Sequence, residues 1–331
     1  MVLLFLFPDW LTIRVMKDEE RDREGAPRTI EVIINASSRA SEKEEIRGQL
    51  AELFRESGVD ARVSLAKCGV ELVELAERRA KGDAQTIVAG GGDGTINAVA
   101  STLIDSGKTL GVLPLGTLNH FAKDLKIPLE LEGAVKTIIA NHVVPVDVGE
   151  VNGHIFLNNS SLGLYPRLVH EREQKQRLGH GKWPAFVWAA FSVMRRYPFL
   201  DVRLSVDGRE ISSRTPFVFV GNNEYEMENF NIGGRARLDR GELCLYFSHR
   251  TRRLGLVGLA LRALVRRVET AEQFVAMRAT EFSIETKRSS IHVATDGEVM
   301  MMRPPLRYRV RPGALKVIVP APGFAQEVKE P

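Results

Sequence analysis

The most restrictive feature of the sequence is an apolar segment that runs directly into a glycine-rich loop. Residues 86–89 read Thr-Ile-Val-Ala, and the chain continues as GGGDGT over residues 90–95. The apolar segment favours a buried strand, and glycines let a ligand approach the backbone closely because no Cβ intervenes. The segment from Thr95 to Ile104 is helix-like, so its free N–H groups would face an anion bound at the loop. The sequence therefore predicts a phosphate site, in which we expect Asp93 to reach a magnesium ion or a water on the phosphates.

This loop belongs to a region in which strands alternate with helices. The strand-like segments are Thr29–Ile34, Ala61–Leu65, Gln85–Ala89 and Thr109–Leu113, and amphipathic helical segments follow the first two. Such alternation is typical of a parallel sheet covered on both faces, with ligands at the carboxyl ends of the strands. The sequence contains no GxxxxGK[ST] pattern, which excludes a P-loop kinase.

A second glycine turn follows the last of these strands. Residues 114–119 read PLGTLN, and a short helix is predicted through Lys123. Gly116 permits a tight turn, and the Thr117 hydroxyl and the Asn119 amide are short polar groups suited to a nucleotide. Capping of the short helix by Thr117 or Asn119 explains the same residues without a ligand.

The pattern changes after about Val148, where short strand-like runs dominate. Several are separated by glycine turns, including Asp207-Gly208 and Asp296-Gly297. We therefore expect an α/β nucleotide-binding domain over 29–148 and a mainly antiparallel β-sandwich domain over 149–304, with the active site in the cleft between them. Residues 305–325 are expected to pack back on the first domain, and residues 1–28 to form a disordered or surface-lying extension.

Two carboxylates flank one of these glycine turns, in the sequence Thr-Asp-Gly-Glu at 295–298. One carboxylate could accept the proton of an attacking hydroxyl, while the other orients that hydroxyl or helps to hold magnesium. Asp296 and Glu298 are therefore the candidate catalytic residues, together with Asp93 of the glycine loop. A plain hairpin turn is the alternative, because Asp-Gly is common in such turns.

Four segments together resemble the diacylglycerol kinase catalytic domain family. They read GGGDGT, PLGTLNHFA, VDVGEVNGHIFLNNSSLG and TDGE, and the resemblance runs from about Thr29 to Pro320. The branch they resemble contains the soluble bacterial lipid kinases related to sphingosine and ceramide kinases. The glycine loop alone is shared with NAD kinases and phosphofructokinases, so the order and spacing of all four segments narrow the match. The resemblance implies ATP and Mg²⁺ as cofactors and a lipid as the acceptor.

The resemblance also implies roles for individual residues. Asn35 and Ser64 would line the nucleotide pocket, and Ser64 would lie near the adenosine. Glu298 would be the general base with Asp296 beside it, and Asp147 would join a magnesium network through water. The phosphate loop and the second nucleotide turn would use Gly91, Gly92, Asp93, Gly94, Thr95, Asn97, Gly116, Thr117 and Asn119.

Three segments depart from the family pattern. Residues 35–39 read Asn-Ala-Ser-Ser-Arg, where the family usually has Asn-Pro-x-Ser-Gly, and His120 replaces a common aspartate. The segment LDRGEL replaces a common Asp-Asp-Gly-x-Leu that binds a structural magnesium. It keeps Asp239 as a candidate ligand, but Arg240 would repel a divalent ion unless Glu242 compensates.

Composition and two further segments bear on location and partners. The net charge of +4 is small for 331 residues, so nucleic acid is not an expected partner, and the two cysteines fit a reducing, cytoplasmic compartment. Residues 183–194 are nearly all apolar and predict either a core helix or the wall of an acyl-chain pocket. Residues 252–268 predict a basic amphipathic helix, which fits peripheral binding to an anionic membrane or, alternatively, a docked helix with a solvated charged face.

These features favour an ATP-dependent lipid kinase at a membrane surface, and two other interpretations stay open. One is an NAD kinase-like enzyme, since Asn223-Glu224 superficially matches its Asn-Glu motif. The other is a nucleotide- or lipid-binding regulator without catalysis. The sequence does not distinguish diacylglycerol from a sphingosine-like lipid as the acceptor, because both present a primary hydroxyl on an apolar tail. It also leaves open the oligomeric state, for which a homodimer is one option.

Overall fold

A computed structural model describes residues 29–36, 40–163, 199–206, 208–225, 227–228, 231–232, 234–248 and 274–322 of the chain. The predictions for the extension at 1–28, the apolar segment at 183–194 and the basic helix at 252–268 lie outside the described residues.

The first part of the chain is a parallel sheet with helices, as the alternating pattern predicts. Its strands are β1 (Thr29–Asn35), β2 (Asp60–Ala66), β3 (Thr86–Gly91) and β4 (Thr109–Pro114). They lie in the order β2-β1-β3-β4 and all pair in parallel. The described helices are α1 (Ala40–Glu56), α2 (Gly69–Ala80), α3 (Asp93–Leu103), α4 (His120–Asp124) and α5 (Leu131–Ala140).

The second part consists mainly of antiparallel strands, which confirms the predicted fold class. The strands are β5 (Val143–Val151), β6 (His154–Phe156), β7 (Asn159–Gly163), β8 (Leu200–Val206), β9 (Arg209–Thr215), β10 (Phe217–Asn222), β11 (Met227–Glu228), β12 (Asn231–Ile232), β13 (Leu243–Ser248), β14 (Phe274–Ala279), β15 (Glu281–Thr286), β16 (Ile291–Thr295), β17 (Glu298–Met302) and β18 (Leu306–Ile318). Within the described residues, β14-β13-β10-β7-β16-β17 form a six-stranded antiparallel sheet.

The long strand β18 joins the two parts. Near its end it pairs in parallel with β4, placing Lys316 opposite Thr109, and along its length it pairs antiparallel with β5 and β15. Over the described residues, the result is one sheet in the order β2-β1-β3-β4-β18-β15-β8-β9, with β5 and β6 attached to β18. The parallel strands and half of the sandwich therefore share a continuous hydrogen-bonded frame.

The two largest hydrophobic cores of the described residues follow from the strand patterns. The central strands β1, β3 and β4 are nearly continuous apolar runs, as expected for strands covered on both faces, and they pack against the helices in the first core. Strand β8 instead alternates buried and outward residues, so Val202, Leu204 and Val206 face the second core between the two sheets. Within the described part of the chain, no helix is both long enough and apolar enough to cross a bilayer.

Candidate active site

The glycine loop and the second glycine turn meet at the carboxyl edge of the parallel sheet. Strands β3 and β4 end together, because Gly91 pairs with Pro114 in the last register position. A Cβ added to Gly116 would lie 2.4 Å from the Gly92 Cα, so the two backbones touch where a side chain would intrude. Likewise, a Cβ on Gly91 would lie 2.5 Å from Thr95 Oγ1. Such close packing explains why glycine is needed at these positions.

The neighbouring strand β1 supplies Asn35 to the same edge. The Asn35 Nδ2 donates a hydrogen bond of 3.0 Å to Thr95 Oγ1, in the first turn of α3. Asp93 begins α3, and its Oδ1 accepts a 3.1 Å hydrogen bond from the Phe121 N–H at the start of α4. Asn35 and Asp93 thus tie the first turn of α3 to β1 and to α4.

Asn119 shapes the second turn from inside. It is 5% exposed and has a left-handed backbone with φ of 51°. Its Oδ1 accepts from the Gly116 N–H at 3.1 Å, and its Nδ2 donates to the carbonyls of Pro114 and Gly116 at 3.1 and 2.9 Å. The amide is therefore used within the turn, whereas Thr117 at its tip is exposed.

The loop opens into a cleft of about 720 Å³, a size typical of small-molecule sites. Its polar edge includes Asn35 and Thr95, and Glu298 comes from the distant strand β17. One wall is the face of α2, which contributes Val70, Leu72, Val73, Glu74 and Glu77. Ser64 lies in the middle of β2 opposite Ile33, and the residues lining the cleft do not include it.

Asn97 lies in the second turn of α3 and is only half-buried as a residue. Its Nδ2 reaches the Ile155 carbonyl at 3.5 Å, while its Oδ1 is buried and has no hydrogen-bond partner among the described residues. A buried amide oxygen without a partner is costly. Asn97 therefore retains an acceptor that a ligand or a water can satisfy.

Glu298 lies more than 200 positions after the glycine loop in the sequence, but the fold places it next to that loop. Its Oε1 lies 3.5 Å from where a Cβ on Gly94 would be, and its side chain is exposed to the cleft. A carboxylate at this distance from the loop can accept a proton from a group bound beside the phosphates.

Asp296 has a different environment from Glu298. Its two carboxylate oxygens accept hydrogen bonds from the backbone N–H groups of Leu157, Asn158 and Asn159, at 2.7, 2.8 and 3.0 Å. Burial raises the pKa of Asp296 to about 6, against the lowering effect of these three donors and of the nearby Arg235 charge. Asp296 also has a positive φ of 48°, so it forms the turn that presents Glu298.

Asp147, which the resemblance places near a magnesium network, is 2% exposed. Both of its carboxylate oxygens accept hydrogen bonds within the protein. Its Oδ2 accepts from the Gly241 N–H at 2.6 Å and from Asn223 Nδ2 at 3.2 Å, and its Oδ1 accepts from the Gly313 N–H at 2.9 Å. These bonds tie β5 to the 238–241 loop and to the irregularity in β18 between Arg311 and Leu315.

Asp239, the candidate ligand for an accessory metal, is paired with an arginine. Both its oxygens accept from Arg237, at 2.9 Å each, and this interaction holds the pKa of Asp239 below its usual range. Arg240 lies 3.8 Å from Glu224, and the described residues contain no cluster of three metal-ligating side chains. Arg237 therefore engages Asp239 and Arg240 lies near Glu224, both at exposed positions, so Asp239 stays a candidate ligand that would have to release Arg237 to bind a metal.

One buried residue was missed by the sequence analysis. The Arg235 side chain is fully buried, and its Nε donates to Asp124 Oδ2 at 2.7 Å. Arg235 lies in a glycine- and arginine-rich stretch, so nothing in the sequence marks it as an interior residue.

Comparisons with known proteins agree with this architecture. The diacylglycerol kinase catalytic domain model matches residues 29–151, and the model of the YegS C-terminal NAD kinase beta sandwich-like domain matches residues 165–319. Each model matches a part of the chain: the first covers the parallel strands with their helices, and the second covers most of the antiparallel strands.

Curated relatives and solved structures that are similar to the chain carry the name diacylglycerol kinase. Proteins named diacylglycerol kinase from Staphylococcus aureus strains JH9 and Newman are each 29% identical over 207 residues, which span 59% of this chain and 65% of the relatives' length. A crystal structure of a diacylglycerol kinase from Bacillus anthracis strain Sterne has a TM-score of 0.63 at 21% identity, covering 90% of this chain and 98% of that protein. Another structure from the same strain has a TM-score of 0.71 at 22% identity, covering 93% and 100%. At these identities the structures support the fold.

Proposed function

We propose that this protein is an ATP-dependent lipid kinase, which transfers the γ-phosphoryl group of ATP to the hydroxyl of diacylglycerol or a sphingosine-like lipid. The observation that carries the proposal is the position of Glu298 beside Gly94, in a cleft that Asn35 and Thr95 also line. A phosphate loop and a solvent-accessible carboxylate at one site are what phosphoryl transfer to a hydroxyl requires. The family and the names of the relatives support the same reaction class.

In this mechanism the N–H groups of the glycine loop and of the first turn of α3 hold the phosphates of ATP. Glu298 accepts the proton of the lipid hydroxyl as the hydroxyl oxygen forms a bond to the γ-phosphorus. The bond between that phosphorus and the bridging oxygen breaks, and ADP leaves with the electron pair. Asp296 keeps the turn in place through the three backbone N–H groups that it accepts.

Magnesium bound with ATP would neutralise charge on the phosphates. Gly91, Gly92 and Gly116 let the two loops pack closely at the site, and Asp93 is the loop carboxylate that would contact the ion. The buried Asn97 Oδ1, which has no partner among the described residues, would accept a hydrogen bond from a ligand or a water in the same site.

We also propose that the enzyme acts in the cytoplasm, on the inner face of a membrane. The support comes from the sequence: a lipid acceptor is only accessible at an interface, and residues 252–268 have the pattern of a basic amphipathic helix. The apolar segment at 183–194 is the candidate wall for the acyl chains.

An NAD kinase-like reaction is the second candidate, because the matched C-terminal model is described as NAD kinase-like. The environment of Asn223 and Glu224 disfavours it. Asn223 is fully buried and bonds to Asp147 and to the Arg240 N–H, while Glu224 pairs with Arg278. These side chains are used within the sandwich, and neither lines the cleft at the glycine loop.

Transfer of labelled γ-phosphate from ATP to a lipid panel in mixed micelles, with and without magnesium, tests the proposal. The panel contains diacylglycerol, a sphingoid base and ceramide, and NAD is assayed in parallel. We expect label on at least one lipid, little label with Asp93→Ala or Glu298→Ala, and wild-type transfer with the control Glu281→Gln, an exposed carboxylate on β15. Label on NAD alone, or ATP binding without transfer to any acceptor, would contradict the lipid kinase.

A further inference from the structure

Among the described residues, Arg235 is the buried charge outside the cleft whose side chain makes the most hydrogen bonds. Its Nε donates to Asp124 Oδ2 at 2.7 Å, and one terminal nitrogen donates to the carbonyls of Leu157 and Asn222 at 2.7 and 2.9 Å. The other terminal nitrogen donates to Asn158 Oδ1 at 2.6 Å, and the backbone N–H donates to Asp124 Oδ1 at 3.2 Å. One residue therefore clamps α4 to the loop between β6 and β7.

On one side this clamp leads to the nucleotide loops. Asp124 is the last residue of the five-residue helix α4. At the other end of that helix, the Phe121 N–H donates to Asp93 Oδ1 in the glycine loop at 3.1 Å. A single short helical turn thus separates Arg235 from the proposed phosphate site.

On the other side the clamp leads to Glu298. Arg235 holds the carbonyl of Leu157 and the side chain of Asn158, while the N–H groups of residues 157–159 hold Asp296. The Asp296 N–H in turn donates to the Asn159 carbonyl at 2.9 Å, which fixes the turn two residues before Glu298. The three-residue segment therefore lies between a guanidinium and a carboxylate.

We propose that Arg235 is a positioning residue, which sets the placement of Glu298 relative to the nucleotide loops by clamping α4 to the segment 157–159. The inference rests on the proposed function, for which it names a further residue. Glu298 and Asp93 lie on opposite parts of the chain, and the reaction needs their separation held closely.

Stability alone does not account for a charge at this position. The Arg235 and Asp124 side chains are 0% and 8% exposed, and a buried ion pair is often no more stabilising than apolar residues of similar volume. Four of the five N–H groups of the guanidinium have acceptors. The group also lies over the Tyr225 ring, with the Cζ 5.3 Å from the ring centre. Both contacts depend on the planar shape of the guanidinium. A lysine keeps the charge but cannot reach α4 and the 157–159 segment together.

The test uses the full-length protein with Arg235→Lys, Asp124→Asn and the double variant. Asp124→Asn preserves shape but removes the charge that pairs with Arg235, so the melting temperature of every variant is measured to confirm that it is folded under the assay conditions. The matched control is the exposed pair Arg214 and Asp201 on β9 and β8, 3.9 Å apart, changed to Lys and Asn in the same way. Measurements are kcat and KM for lipid transfer, the Kd for ATP, and hydrogen exchange of the amides at 157–159.

We expect each single variant to lower kcat about 10- to 100-fold with little change in the Kd for ATP. The kcat of the double variant should be no lower than the kcat of the less active single variant, because both changes break the same clamp. Amide exchange at 157–159 should accelerate even in Asp124→Asn, which alters only α4. The control pair should leave all of these values at the wild-type level.

Wild-type kcat in both Arg235 and Asp124 variants, with only a lower melting temperature, would show that the arginine serves packing alone and would overturn the inference. A loss of ATP affinity that matches the loss of kcat would make Arg235 part of nucleotide binding and would also overturn it. Absence of lipid transfer by the wild-type protein contradicts the proposed function instead, and the exchange data then still decide whether the clamp exists.

Discussion

The two carboxylates of the Thr-Asp-Gly-Glu segment differ in what surrounds them. Both oxygens of Asp296 are engaged by the backbone of residues 157–159, whereas Glu298 faces the cleft beside Gly94. The residue pattern placed both carboxylates at the proposed site without separating their roles, and only the family resemblance named Glu298 as the general base. The distinction depends on the β6–β7 loop, more than 130 positions earlier in the chain, which no local pattern connects to this turn.

Asp296 should give the reaction a pH dependence. As the pH falls through about 6, the carboxylate gains a proton and becomes a poorer acceptor for the three N–H groups. We expect phosphoryl transfer to decline below this pH, and Asp296→Asn to be slower at all pH values and to lack this limb. An identical acid limb in the variant would assign it to another group. Initial rates between pH 5 and 8, at saturating ATP, give the comparison.

The raised pKa of Asp296 also predicts how the stability of the protein depends on pH. The folded-state pKa of Asp296 is raised from 3.8 to about 6, so the unfolded chain releases this proton first as the pH rises. The contribution of Asp296 to the free energy of unfolding is therefore largest at low pH and is lost between pH 3.8 and about 6. Urea unfolding of the wild type and of Asp296→Asn across this range should show a difference that changes with pH. A constant difference would rule out the raised pKa.

At the scale of elements, the parts that the sequence predicted best are those with strong local patterns. Strands β1, β3 and β4 are β-branched runs, and the glycines after β3 mark the loop unambiguously. Strand β9 has little local signal, since REISSRT reads as polar loop and the strand is defined by its antiparallel ladder with β8 at the edge of the sheet. Strand β17 was likewise hidden, because its outward residues Val299 and Met301 are apolar but exposed.

The contact between the two glycine loops can be tested by adding one methyl group. Gly116→Ala places a Cβ 2.4 Å from the Gly92 Cα and 2.8 Å from Asn119 Oδ1, so the loops must separate. We expect ATP affinity to fall at least 10-fold by calorimetry, a change of about 1.4 kcal/mol. The control Gly48→Ala lies in α1 with no atom within 4 Å of the new Cβ, and it should raise stability by about 1 kcal/mol without changing ATP binding. Unchanged affinity in Gly116→Ala would mean that the turn does not contact the nucleotide.

The loop at 238–241 should be stable without a divalent ion. Arg237 holds both oxygens of Asp239, and the N–H of Gly241 is held by Asp147. We expect the melting temperature of the nucleotide-free protein to be the same in magnesium and in a chelator. A clear fall in the chelator would show that a metal holds this loop despite Arg240. If the wild type shows no such dependence, Arg237→Ala and Arg240→Asp together should create one, because they free Asp239 and add a second acid.

At the scale of the whole molecule, the fold brings together residues that the sequence keeps far apart. The ten-stranded sheet of the described residues runs through β18 from the parallel strands into the sandwich, so the glycine loop and the Glu298 turn share one frame. Arg235 and Asp124 add a second connection between the same two regions. The sequence could predict the two parts and their cleft, but this clamp becomes visible only when the packing is known.

The central claim is that Glu298 accepts the proton of the acceptor hydroxyl, in a site whose nucleotide-binding residues lie in the glycine loop at 90–95. The most direct test is the single-turnover rate of phosphoryl transfer in Glu298→Gln, measured with the lipid that the wild type accepts and alongside the Kd for ATP. We predict a rate about 100- to 10,000-fold lower, with the Kd for ATP close to that of the wild type. A near wild-type rate, or a rate loss explained by weaker ATP binding, would contradict the account.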